Sequence, residues 1–226
     1  MRRPKRLPLD ELAPYRIDPA SAGRHPRSGE ADNAPSVADS RRSPLEFFGN
    51  AGPVELEVGF GKGAYLVDAA VRHPETNWLG LEIDRGLELY VATRIAKRKL
   101  PNARVACTDA RAFLHDRIAD SSLAAVHVYF PDPWWKKRHH KRRVWTPEFA
   151  AECLRVLQPK GRLEVATDVG DYYAVIRELL DSRPELTVVS SSERTGPPAA
   201  DALLTNFERK ALAKGGSVWR ASYSRS

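Results

Sequence analysis

Cysteine is scarce in this sequence: Cys107 and Cys153 are its only two, 46 positions apart, and neither belongs to a CxxC pair or a Cys/His cluster. That excludes a disulfide scaffold and a structural zinc site, and it fits buried free thiols in a reducing compartment. Long apolar runs are missing as well, and none approaches the roughly 20 residues that a membrane-spanning helix needs. The opening MRRPKRLPLDEL is basic but has no apolar signal core, and Asp10 and Glu11 argue against a transit peptide. A cytoplasmic protein without membrane or metal partners is the expectation. Acid is absent from one stretch in particular, Lys136 to Arg143, which reads KKRHHKRR. The chain has 36 Lys and Arg against 29 Asp and Glu, a net of +7, and six of the cations fall in those eight residues. Elsewhere the signs nearly balance, so the excess is a local electropositive patch suited to an anionic partner.

What is present reads as one domain with an extension. The 226 residues, 42% of them hydrophobic, suffice for a single domain with a real core. Residues 1–44 hold seven of the 17 prolines and few large apolar side chains. They are expected to form a mobile or loosely packed extension ahead of a domain over 45–226. From residue 53 onward, short apolar runs alternate with helical periodicity. Strands are predicted at 54–58, 78–83, 103–107, 125–130 and 162–167, with late strands at 186–190 and 218–223. The helix after the first strand should bury Leu66, Ala69, Ala70 and Val71 on one side. Thr146 reads as an N-cap with Pro147 at the first helical position, followed by Phe149, Cys153, Val156 and Leu157 as one apolar face. Pro159 and Gly161 are expected to end that helix. Strand–helix alternation implies right-handed crossovers, hence an α/β fold with a mostly parallel sheet and helices on both faces. Ligands of such sheets bind beyond the carboxyl ends of the strands. That rule puts GFGKG, Glu82, Asp109, FPDPW and Asp168 on one rim.

The motifs on this rim differ in what they specify. EVGFGKG, Glu57 to Gly63, is a glycine-rich turn from a strand into a helix; alone it is equally compatible with a purely structural loop. Glu82, 19 residues beyond Gly63 at a strand end, is placed to accept both hydroxyls of a ribose. Glu57 sits where a dinucleotide would bring a pyrophosphate, so its carboxylate suits a cation better, such as the ammonium and sulfonium of S-adenosylmethionine. Asp109 is placed either by an adenine edge or as the N-cap of the helix that follows, and both roles can hold together. Phe130-Pro-Asp132-Pro-Trp134 fixes a carboxylate between two prolines. Trp134, Trp135 and Trp145 flank the six cations, the pairing of charge and stacking surface expected of a nucleic-acid site. The His139-His140 pair has no carboxylate or cysteine partner and is a poor metal candidate. Thr205 to Lys210, TNFERK, reads as a polar loop.

Taken together, these residues resemble the bacterial tRNA (guanine-N7-)-methyltransferase family, from about Val54 onward. FPDPWWKKRHHKRR with the later TNFERK carries the resemblance, whereas GFGKG does not. The resemblance implies a Rossmann-like class I S-adenosylmethionine-dependent methyltransferase with a seven-stranded sheet. It implies formation of 7-methylguanosine at position 46, in the variable loop of tRNA. Glu57, Glu82, Asp109 and Asp132 fall on the family's cofactor positions. Lys136, Asp168, Thr205, Asn206, Phe207 and Glu208 fall on its substrate positions. Arg138, His139, His140, Lys141, Arg142 and Arg143 fall on its RNA-contacting segment. Asp132 is expected to be the group closest to the chemistry, with Asp168 and Glu208 gripping the guanine. Trp135 departs from the family, which often has proline or histidine there. The alternative is a non-catalytic RNA-binding protein on the same fold, which the acids on the rim disfavour. A nicotinamide oxidoreductase fits Glu57 and the basic run less well still.

Overall fold

Short segments rich in Val, Leu and Ala become the interior strands of the computed structural model, which describes residues 6–18, 41–199 and 202–226. After a short helix α1 (Leu9–Leu12) the order is β1 (Val54–Val58), α2 (Ala64–Arg72), β2 (Asn77–Glu82), α3 (Arg85–Arg98), β3 (Ala103–Cys107) and α4 (Ala110–Arg117). Then come β4 (Leu123–Tyr129), α5 (Pro147–Val156), β5 (Leu157–Thr167), α6 (Gly170–Asp181), β6 (Leu186–Arg194), α7 (Asn206–Ala213) and β7 (Val218–Arg225). One seven-stranded sheet has the order β3-β2-β1-β4-β5-β7-β6. The first five strands are parallel, while β7 runs antiparallel to both β5 and β6. Strands buried on both faces need no polar alternation. Accordingly β2 is buried along its whole length.

The two faces carry separate apolar layers. Leu66, Val91 and Ile95 from α2 and α3 pack on one, and Leu114, Phe149, Tyr172 and Ile176 from α4, α5 and α6 on the other. Helix α5 starts as its cap predicts, with the Thr146 hydroxyl accepting from the Phe149 amide at 3.2 Å. No helix among the described residues is long and apolar enough to cross a membrane.

Four expectations are corrected. Val71 is 53% exposed, one position off the apolar stripe of α2. Helix α5 ends at Val156, and Pro159 and Gly161 lie inside β5. A Cβ on Gly161 would come within 2.7 Å of the Gln158 carbonyl, so the glycine permits a tight bend within the strand rather than stopping the helix. TNFERK is the first turn of α7 and not a loop. Finally, the described parts of the 1–44 segment are docked. Leu12 is fully buried, Ile17 is nearly so, and the Ile17 amide donates to Val105 of the edge strand β3 at 2.9 Å. Arg16 pairs with the fully buried Glu88, and Arg42 exchanges backbone bonds with Arg117 and Ala119. A few apolar groups suffice here because the edge of β3 offers unpaired backbone for the segment to cover. Residues 19–40 lie outside the described residues.

Candidate active site

Every strand of the parallel set ends on the rim where the candidate residues gather. A cavity of about 760 Å³ opens there. One wall is the glycine-rich turn with Glu82 and Asp109; the other is Phe130 to Trp134 with Lys141, Arg142 and Phe207.

The turn is built from backbone that only glycine adopts freely. Gly59 and Gly63 have φ of 72° and 62°. A Cβ at Gly59 would meet nothing within 4 Å, so that side is open to a ligand, whereas one at Gly63 would strike Val91 of α3 at 2.7 Å. Glu82 is what closes the turn. Its Oε2 accepts from the Gly61 amide at 2.9 Å, and its Oε1 from the Ile83 and Asp84 amides at 2.8 and 3.1 Å. Glu57 lies beneath the turn, 2% exposed, and one of its carboxylate oxygens has no hydrogen-bond partner. Burial pushes its pKa up to about 8, with the Glu82 charge adding to the rise and a backbone bond at Leu66 opposing it. Asp109 takes the capping role: it accepts from the Arg111 amide at 2.9 Å and pairs with the Arg111 guanidinium, which holds its carboxyl below the usual range. The open face of Gly59 and the cavity that Glu82 lines can hold an organic cofactor; Glu57 is buried beside them with one oxygen unpartnered and is not itself in the cavity lining.

The opposite wall is strained. Phe130 and Trp134 have φ of 53° and 43°, a region that large side chains rarely adopt. Interactions from outside the turn hold it there. Phe130 donates its amide to Ala166 at 2.7 Å and stacks on Phe207 with ring centres 6.1 Å apart. Arg143 donates to the Pro133 carbonyl at 2.7 Å and lies over the Tyr172 ring, while Arg142 lies over the Trp134 ring. Asp132, between its prolines, is exposed on the cavity wall. The basic run thus divides: Arg143, half-buried, braces the turn, while Lys136, Arg138, Lys141 and Arg142 are exposed, Arg142 with its guanidinium over the Trp134 ring. His139 packs edge-on against Trp134; the side chains of Lys137 and His140 lie outside the described residues. Of the three flanking tryptophans, only Trp135 is freely exposed, at 65%; Trp145 is a core residue against Phe149. No group of three or more His, Cys, Asp or Glu able to hold a metal occurs among the described residues.

The last two elements complete the rim. Asp168 is exposed at the end of β5. Thr205 caps α7 by accepting from the Glu208 amide at 3.0 Å. Glu208 does not open onto the rim: fully buried, it gives both oxygens to Arg220 of β7 and lies 3.6 Å from Arg194 of β6. Its observed role is to clamp α7, and with it the half-exposed ring of Phe207, over the glycine turn, where a Cβ on Gly61 would be 3.8 Å from that ring. Sequence reasoning missed Arg220, whose guanidinium also lies 5.1 Å from the centre of the Tyr129 ring. Its signal was a lone cation inside the apolar run VWRASY.

A family model described as "Putative methyltransferase" matches residues 51–221. The tRNA (guanine-N(7)-)-methyltransferase of Rhodopirellula baltica is 42% identical, over 78% of this chain and 67% of the relative. That of Mannheimia succiniciproducens is 39% identical, over 77% and 70%. The chain belongs to the tRNA (guanine-N7-)-methyltransferase family. Solved structures add the fold. The 16S rRNA methyltransferase KamB superposes with a TM-score of 0.62 at 17% identity, over 81% of this chain and 94% of its own. A variant of the 16S rRNA (adenine(1408)-N(1))-methyltransferase from Catenulisporales acidiphilia, solved with its cosubstrate SAM, gives 0.59 at 15% identity, over 80% and 89%. The sheet is therefore that of the class I methyltransferases, and its FPDPW and TNFE segments meet at the rim, where Phe130 stacks on Phe207.

Proposed function

We propose that this chain transfers the methyl group of S-adenosylmethionine to N7 of a guanosine in tRNA, that at position 46 of the variable loop. The observation that carries the reading is that one cavity is walled by the glycine turn and Glu82 on one side and by Asp132, Lys141 and Arg142 on the other. A cofactor site and an RNA-facing segment thus share the same space. The cofactor fits the residues present. Its cationic amino-acid end would give the buried Glu57 oxygen the partner it lacks, Gly59 leaves room for close approach, and Glu82 stands where ribose hydroxyls can reach it. When bound, S-adenosylmethionine supplies an electrophilic methyl group on a sulfonium centre.

Guanine N7 carries an in-plane lone pair and no proton, so no residue has to remove one at that atom. The chain's work is to orient the base and to offset charge. Asp132, held by two prolines and a turn braced from outside, keeps a carboxylate fixed at the cavity wall to offset the positive charge that develops on the purine. Phe207 and Phe130 offer an aromatic surface beside it, and the exposed Asp168 and Lys136, outside the cavity lining, would meet the nucleotide as it enters. Lys141 and Arg138 meet the phosphates. The enzyme works with its substrate in the cytoplasm. Incubation of the purified protein with bulk tRNA and labelled S-adenosylmethionine, followed by nucleoside digestion, tests this: the label should appear in 7-methylguanosine. Label in another nucleoside, or RNA binding without transfer, overturns it.

A further inference from the structure

A second cavity, of about 910 Å³, lies behind the glycine turn and takes no part in the site described above. It runs along α3, from Asp84 at the rim to Arg98 about four turns away. Cations converge on it from four parts of the chain: Lys62 from the turn, Arg94, Lys97 and Arg98 from α3, Arg209 from α7, and Arg6 from the N-terminal segment. Among the described residues, two acids line it, and both are engaged: Asp68 pairs with Arg209 at 3.0 Å, and Asp84 caps α3 by accepting from the Leu87 amide. Six cations against two engaged acids leave a surplus of positive charge in a concave surface, which focuses the field. Arg94 is the floor. It donates to the carbonyls of Lys62 and Gly63, and burial beside Arg98 and Arg209 makes its guanidinium easier to deprotonate than usual. A fold gains nothing by crowding like charges, whereas an anionic ligand relieves the crowding.

The groove adjoins the active-site cavity. Leu87 lines both, Lys62 is the neighbour of Gly61, and Asn206 in the groove is the neighbour of Phe207 in the cavity. The exposed cations of 136–143 border the opposite wall of that cavity. A strand whose base enters the cavity has backbone leaving on both sides, and only one side is served by the run. We propose that the α3 groove is a second phosphate-binding surface, holding the sugar–phosphate backbone of the RNA substrate on the far side of the cavity from residues 136–143. The assignment rests on the reading of the chain as a tRNA methyltransferase, and it extends the RNA path around the molecule rather than into the site.

The test replaces exposed cations of the groove and leaves Arg94 and Lys62, which build the turn, in place. Arg6→Gln, Lys97→Gln and Arg98→Gln are combined, since Gln keeps helix propensity and size. Labelled tRNA is titrated against the full-length protein between 50 and 300 mM salt, roughly the range over which counterion release is resolved. The log–log salt slope should fall by about 2, at roughly 0.7–0.9 per lost contact. KM for tRNA should rise about tenfold, while kcat and the affinity for S-adenosylhomocysteine stay the same. Lys160→Gln, an exposed cation near the other end of β5, should change none of these. An unchanged slope in the triple variant overturns the groove, as does an equal loss in the Lys160 control. Wild-type protein that binds tRNA with the expected slope but does not methylate it counts against the functional reading and leaves the groove standing.

Discussion

Glu82 and Gly61 are joined by a hydrogen bond of 2.9 Å from amide to carboxylate, so the acid that ends β2 also shapes the turn that follows β1. One residue thereby ties the position proposed to meet the ribose to the glycine-rich loop. Glu82→Ala should weaken S-adenosylhomocysteine binding by roughly tenfold to a hundredfold, since bonds to a charged group contribute about 1.5–3 kcal/mol. It should also lower Tm, because the Gly61, Ile83 and Asp84 amides lose their acceptor. Calorimetric titration and thermal melting check both; unchanged affinity with a lowered Tm would make Glu82 a loop anchor only.

Glu57 gives a pH signature. Its folded pKa of about 8 lies above the ordinary carboxylate value, so the stability it contributes is complete below that ordinary value and is lost as pH rises through 8. Tm of the ligand-free protein should therefore decline from pH 6 to 9, and Glu57→Gln should flatten the decline. A cationic ligand favours the carboxylate, so binding at pH 7 should release about one proton per site. Calorimetry in buffers of different ionisation enthalpy measures that release, which should vanish in the Gln variant.

For Asp132, the Asn variant keeps the shape and removes the charge. Turnover at saturating cofactor should fall by about 10²–10³, the range for loss of one preorganised electrostatic group, with smaller changes in binding. With no proton to lose at N7, the wild-type rate at saturation should be flat from pH 6 to 9. A rate that rises steadily through neutrality would reveal a general base.

The divided basic run separates two effects that composition alone would merge. Arg138→Gln with Lys141→Gln should raise KM for tRNA and reduce the salt slope by about 0.7–0.9 per contact, leaving kcat intact. Arg143→Gln should lower kcat instead, because the Pro133 carbonyl loses its donor and the turn carrying Asp132 loosens. Steady-state kinetics on both variants at two salt concentrations distinguish them; a pure KM effect for Arg143 would return it to the RNA-contacting set.

The N-terminal segment should prove to be part of the fold. Leu12→Ala should destabilise by about 2–5 kcal/mol, the range for a buried leucine. Arg16→Ala should destabilise by about 3–5 kcal/mol, by leaving Glu88 buried without its partner. Chemical denaturation checks both, and a midpoint like the wild type's would mean that the segment is not docked in solution.

What was legible in the sequence was whatever depends on neighbours along the chain. Val54–Val58 and Ala103–Cys107 match the predicted strands end to end, because short segments rich in Val, Leu and Ala between turn residues mark strands locally. Thr146 and Pro147 announce a helix by local chemistry. Thr205-x-x-Glu208 announces one too, since its spacing is that of a capping box, and reading it as a loop overlooked that signal. Other features depend on what arrives from elsewhere. Whether an arginine in KKRHHKRR faces the solvent or braces a turn depends on Pro133 and Tyr172, and burial of Glu208 depends on Arg194 and Arg220. No local pattern encodes those distances.

The placement of β7 has a consequence for how the molecule assembles. In the sheet β6 pairs with β7 alone, yet β6 precedes it in sequence. It reaches the rest of the sheet only through β7, so the ladder is completed out of chain order and through the contacts of β7 with β5, which are far apart in sequence and slow to form. Arg194 and Arg220, on those two strands, grip Glu208 in the segment between them. The ring of Phe207 therefore comes to rest over the glycine turn only when the sheet is complete, and an incompletely folded chain would display its cations to RNA before it had a finished place for the base.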